Sequence, residues 1–223
     1  MAKVRLNKYI ASCGYASRRK ADDLISHGQV SVDGKKVTQL GTQIDPDHNR
    51  VFINGKLLKP KGFVYIKLNK PEGYTCTTKT FANEKNVLDL VEVPEKVYPV
   101  GRLDKNSCGL IFLTNDGAFA HQLTQPRHNI EKEYKIFTQQ KINPADLEKM
   151  RSGVSDEGEF LRLQNYKILA PKHINVILTQ GKKRQIRRLF AQFNYEITRL
   201  QRIRIDHWQL GSLVPGQWEY FEP

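Results

Sequence analysis

Apolar residues first recur at helical spacing. Leu6, Ile10 and Cys13 fall on one side of a short helix, with Arg5 and Lys8 on its wet side and Gly14 at its end. Ser17 can cap a second helix, whose inner face is Ala21, Leu24 and Ile25 and which Gly28 stops. The period then changes from helical to alternating. Residues 30–37 alternate around Asp33-Gly34 and residues 51–57 around Asn54-Gly55, two strong hairpin signals. Lys59-Pro60-Lys61-Gly62 interrupts the pattern as a linker, so the chain is expected to divide into residues 1–61 and 62–223.

A strand over 63–68 opens the second part, and Pro71 and Gly73 force the turn that follows it. Residues 87–91 read as a short helix of ambiguous period. Leu110 to Leu113 is an apolar run of strand length, closed by Asn115-Asp116-Gly117, with a helix over 118–123 behind it. Residues 131–137 read as a strand led by charges. Asn143 before Pro144 is a cap followed by a favoured first helical residue, which predicts a helix over 145–150. Residues 161–169 and 174–178 are two further strands. Ile186, Leu189, Phe190 and Phe193 share one helix face, which turns Arg184 and Arg188 away from the core and sets Arg187 at the flank, where a carboxylate partner suits it. Residues 196–200 read as strand. Arg202, Ile203, Arg204 and Ile205 then alternate, as a sheet edge facing a phosphate backbone would. Strands and helices mixed without a strict repeat predict an α+β fold.

Charge sharpens this picture. The 223 residues carry a net charge of +13, clustered rather than spread, which points to a polyanion and to nucleic acid before membrane. No apolar run approaches the ~20 residues of a membrane span. The N-terminus, Met1-Ala2-Lys3-Val4-Arg5, lacks the apolar core of a signal peptide. Cys13, Cys76 and Cys108 have no paired metal spacing and read as reduced thiols of a cytoplasmic protein. Arg18, Arg19 and Lys20 crowd the first turn of the second helix, where the helix dipole disfavours cations and an RNA phosphate would offset the cost. The expected RNA contacts are therefore Arg5, Lys8, Arg18, Arg19, Lys20 and Lys36 in the first part. In the second they are Lys182, Lys183, Arg184, Arg188, Arg202 and Arg204. Gly181-Lys182-Lys183 lacks the full spacing of a phosphate loop, and His121 and His128 fit no metal pattern, so neither a nucleotide nor a metal is expected.

One carboxylate stands out. Asp104, in Gly101-Arg102-Leu103-Asp104, lies at the mouth of the apolar strand and two residues from an arginine, where an acid stays ionised in a partly dry setting. Spacing alone favours a salt-bridged turn aspartate over a reactive group.

Residues 5–8 (Arg-Leu-Asn-Lys), 17–19 (Ser-Arg-Arg) and 28–34 (Gly-Gln-Val-Ser-Val-Asp-Gly) resemble the S4-type RNA-binding domain. Lys70-Pro71-Glu72-Gly73, Gly101–Asp104 with Gly109-Leu110, Glu131-Lys132-Glu133-Tyr134, and the run from Gly181 to Arg188 then occur in the order found in bacterial ribosomal-RNA pseudouridine synthases. The resemblance is to the RsuA-like branch that carries an N-terminal RNA-binding module. It implies that Asp104 is the catalytic acid or nucleophile, with Arg187 paired to it and keeping it charged. Tyr134 would lie against the uracil and Arg102 would hold the RNA open; Lys70 and Pro71 would shape the wall of the site. The stretch 196–204 is more similar to large-subunit than to small-subunit enzymes, so the implied partner is large-subunit ribosomal RNA. No cofactor is implied, and no dimerising segment is visible, so a monomer is expected. A non-catalytic ribosomal-RNA-binding or assembly factor would share the charge and both domains. It would not need Asp104, Tyr134 and Arg187.

Overall fold

The computed structural model describes residues 3–78, 82 and 84–223; Met1 and Ala2, part of the N-terminal reading, lie outside them. The chain folds as two units, one built on residues 1–64 with short pieces at 94–96 and 115–117, the other on the remainder.

The first unit contains β1 (Val4–Arg5), α1 (Leu6–Ser12), α2 (Arg18–Ser26), β2 (Val30–Val32), β3 (Lys35–Val37), β4 (Gln43–Ile44), β5 (Val51–Ile53) and β6 (Lys56–Leu57). Ser17 caps α2, its Oγ accepting the Lys20 amide at 3.3 Å, and Asn7 Nδ2 ties α1 to α2 through Asp22 at 2.9 Å. Both hairpins form as the Asp-Gly and Asn-Gly pairs dictate. Asp33 and Gly34 have φ of 50° and 80°, Asn54 and Gly55 49° and 78°, the left-handed pairs that let a two-residue turn follow the strand twist. Four strands order as β3-β2-β5-β6, and their apolar faces join Leu6, Ile10, Ala21 and Ile25 in one core.

The second unit contains β7 (Tyr65–Lys70), β8 (Tyr98–Val100), β9 (Cys108–Thr114), α3 (Gly117–Thr124), β10 (Lys132–Thr138), α4 (Pro144–Ser152), β11 (Val154–Asp156), β12 (Glu159–Leu161), β13 (Asn165–Ala170), β14 (His173–Leu178), α5 (Gln185–Ala191), β15 (Ile197–Ile205), β16 (Trp208–Gln209) and β17 (Trp218–Tyr220). Among the described residues its main sheet has nine strands, ordered β13-β14-β10-β15-β9-β7-β17, with β16 beside β15 and β8 beside β9. Every pairing is antiparallel except β15 with β9. At that parallel junction Gly109 (φ 104°) lies against the Arg202 backbone so closely that a Cβ would overlap it, which is why only glycine fits.

Two apolar clusters flank the junction. One packs Leu147 and Met150 of α4 and Ile186, Leu189 and Phe190 of α5 on β10, β14 and β15; the other gathers Phe112, Phe119 and Leu123 with Trp208. Asn143 caps α4 as expected, its Oδ1 accepting the Ala145 amide at 3.0 Å.

The short helix read over 87–91 forms as a 3-10 helix over residues 87–90. Two elements differ from the pattern read in the sequence. The stretch 161–169 breaks in two because the chain dips inward at Leu163, whose amide bonds the Met150 carbonyl at 3.0 Å. The segment 202–205 is no sheet edge: β15 lies between β10 and β9. Its alternation is also broken, since Tyr134 pairs with Arg202 and Glu133 with Arg204, leaving Ile203 as an extra, bulged residue.

Candidate active site

The site is built on the loop between β8 and β9, which carries Asp104 into the start of β9. The loop is pinned by its own carbonyl oxygens. Lys70, at the end of β7 and 0% exposed, donates from Nζ to Ser107 O at 2.6 Å, to Lys105 O at 3.3 Å and to Pro71 O at 3.0 Å. Arg187 of α5 donates to Asn106 O at 2.6 Å and to Ile197 O at 3.4 Å. Three successive carbonyls after Asp104 are thus held by two cations from distant parts of the chain. The Ser107 amide closes the turn onto Asp104 O at 3.0 Å. Hydrogen bonds to charged donors are the stronger ones, so this loop is fixed rather than merely placed.

Above the loop opens a shallow cleft of about 100 Å³. Asp104, Arg102, Tyr134 and Arg187 all line it, together with Lys182, Arg184, Gln185, Leu178 and Leu200. Among these lining residues Asp104 is the one carboxylate. Tyr134, half-buried on β10 between Val176 and Arg202, presents its ring from the sheet.

The expected pairing of Arg187 with Asp104 takes a looser form. Among the described residues no ion pair within 4.0 Å joins them, because the Arg187 guanidinium is turned to the loop backbone. The two still feel each other: burial, and behind it Arg184, lower the Arg187 pKa, while Asp104 and Glu72 raise it. Lys70 shows the same balance, burial lowering its pKa against the raising effect of Cys76, Cys108, Glu72 and Asp104. Glu72, absent from the expected site, therefore belongs to its field. Its place in Lys70-Pro71-Glu72-Gly73 was the available signal. Lys70 does more than shape a wall, although pattern alone gives no sign that a lysine is wholly buried.

Three of the residues expected to contact RNA are engaged by the protein itself. Arg202 is 3% exposed and donates from Nε to Leu110 O at 2.7 Å, because the bulge at Ile203 turns it inward. Arg204 is held by Glu133 at 2.9 Å and Glu131 at 3.0 Å. Arg188, expected in solvent, is engaged by Asp156 and Glu159 of the β11–β12 hairpin, which packs on that side of α5. Lys182 and the exposed Arg184 line the cleft, and Lys183 is exposed beside it. In the first unit Arg5, Lys8, Arg18, Arg19, Lys20 and Lys36 are exposed; of these only Lys20 reaches an acid, Asp23 at 4.0 Å, among the described residues. No described helix is long and apolar enough to cross a membrane.

Fold and site together are those of an enzyme that acts on RNA. Residues 64–192 match the RNA pseudouridylate synthase family model and residues 4–49 the S4 domain model. An uncharacterized RNA pseudouridine synthase of Aquifex aeolicus is 38% identical over 98% of this chain and 90% of its own length. The dual-specificity RNA pseudouridine synthase RluF of Escherichia coli is 39% identical over 97% of this chain and 75% of its own. A crystal structure of a pseudouridylate synthase superposes with a TM-score of 0.71 at 26% identity, covering 98% of this chain and 96% of that one. The chain belongs to the RNA pseudouridine synthase family, with an S4 domain at its N-terminus.

Proposed function

We propose that the enzyme converts uridines of large-subunit ribosomal RNA to pseudouridine in the cytoplasm, as a monomer, with residues 1–61 supplying affinity and residues 62–223 the chemistry. The observation that carries the catalytic part is the cleft with Asp104 as its one lining carboxylate, on a loop fixed by Lys70 and Arg187. The reaction breaks the bond between ribose and base nitrogen, turns the base, and rejoins it through carbon. A proton leaves that carbon and one is gained at the nitrogen, so atoms balance without an external reactant. The target nucleotide must leave its stack to reach such a cleft. Asp104 acts as nucleophile on the sugar or base, or as proton acceptor at the ribose; the leaving base stays bound, so one carboxylate suffices where a glycosidase needs two. Tyr134 lies against the uracil and takes the carbon proton. Arg102, exposed at the mouth, holds the RNA where the base has left.

Asp104→Asn tests this reading, since it keeps size and removes charge. On large-subunit ribosomal RNA the purified variant is expected to form no pseudouridine while its RNA affinity stays within a few-fold of wild type. Ordinary turnover by the variant would sink the catalytic assignment and leave a binding factor.

A further inference from the structure

The β11–β12 hairpin is stitched to the rim of the cleft. Lys182 Nζ donates to Phe160 O at 2.9 Å, Gln185 Nε2 donates to Arg162 O at 3.2 Å, and Arg188 engages Asp156 and Glu159. Lys182 and Gln185 themselves line the cleft, so residues of its wall hold the hairpin directly. Leu161 points into the core at 0% exposure, which turns its neighbour Phe160 outward at 54%. The ring rests on Gly153, where a Cβ would overlap it, so one face is seated on backbone while much of the rest meets water.

A large apolar side chain held in solvent loses the stabilisation that burial would give. It gains a use only if something flat covers it. The hairpin's acids do not repel an RNA strongly here, because Arg188 pairs with Asp156 and Glu159 and lies 3.7 Å from Glu157. Lys183 and Arg184, exposed in the adjoining loop, have no acid within 4.0 Å among the described residues. We propose that Phe160 is a stacking platform for an unpaired RNA base next to the uridine in the cleft, with Lys183 and Arg184 taking the phosphates between them. This rests on the reading of the cleft as the uridine site. Drawing one nucleotide out of a stack bares its neighbours' faces, and an aromatic ring receives any base because every base has a π-face.

Binding of an oligouridine dodecamer by wild type, Phe160→Ala and Phe160→Tyr tests the platform, with the ribose-phosphate chain of equal length but no bases as control. Phe160→Ala is expected to weaken oligouridine binding about tenfold, the lower range for one lost base stack. Phe160→Tyr restores it, all three proteins bind the baseless chain alike, and the salt dependence is unchanged because no phosphate contact is lost. Equal oligouridine binding by wild type and Phe160→Ala would overturn the platform, and so would an equal loss on the baseless chain. Conversion of ribosomal-RNA uridines by wild type, assayed in parallel, reads the cleft separately. Conversion with no Phe160 effect overturns the platform alone. A Phe160 effect without conversion supports base stacking on Phe160 but overturns its place beside a reacting uridine, together with the proposed activity.

Discussion

Lys70→Met removes the ammonium that fixes the loop after Asp104 and replaces it with an apolar side chain of similar length. Three carbonyls lose a donor, but Lys105 O keeps the Gly73 amide at 2.8 Å, so the loss falls on Pro71 and Ser107. Leaving a buried acceptor unpaired costs roughly 1–3 kcal/mol each. Part of that is returned because the variant no longer buries a charge, a cost visible in the lowered Lys70 pKa. A net loss of about 2 kcal/mol in unfolding free energy is expected, read from urea titration. The effect on rate should exceed the effect on stability. A freed loop can shift Asp104 by about 1 Å, a displacement worth about 10²-fold in a positioned reaction. Single-turnover conversion at saturating enzyme, at a temperature where both proteins are folded, should show that fall, with RNA affinity within a few-fold of wild type. A folded Lys70→Met enzyme with wild-type turnover would refute the claim that this ammonium positions the acid.

Arg187→Leu should lower single-turnover rate by more than ~10²-fold with little change in affinity, as when a positioned charged group is lost. Arg188→Leu should instead lower the thermal midpoint and leave the salt dependence of RNA binding intact, since its partners are Asp156 and Glu159; a slope reduced by about 0.7–0.9 would mean that it meets a phosphate after all. Lys132, whose pKa is pulled down to about 8 by burial and then by Arg202, is charged at neutral pH in the folded and unfolded chains alike, so its burial is a standing cost there. As pH rises from about 8 toward the unfolded lysine value near 10.4 the folded chain gives up that proton first, so wild-type stability gains on Lys132→Met across this window, and a stability difference independent of pH would contradict the assignment.

What was legible in the chain is local. Ser17 as a cap, Asp33-Gly34 and Asn54-Gly55 as turns, and Asn143-Pro144 as a helix start each act within four residues, and each stands where pattern puts it. Asp104 and Arg187 stood out by position and helix phase, but that Asp104, Arg102, Tyr134 and Arg187 share one site was legible only from blocks in a recognised order, because nothing in their spacing brings them together. Phase failed where a distant partner decides the direction of a side chain. A bulge one residue long turned Arg202 inward, and a hairpin some thirty residues upstream claimed Arg188.

That failure bears on how the enzyme holds RNA. Reading cations from sequence treats each as available, whereas Lys70, Arg187, Arg188, Arg202 and Arg204 are engaged by carbonyls and carboxylates of the protein. The net charge of +13 still draws a polyanion, since distant charges add whatever their local partners. Counterion release, by contrast, counts only cations that reach a phosphate. The salt slope should therefore be carried by Arg5, Lys8, Arg18, Arg19 and Lys36 in the first unit and by Lys183 and Arg184 at the cleft. The engaged arginines hold carbonyls and carboxylates of the protein instead.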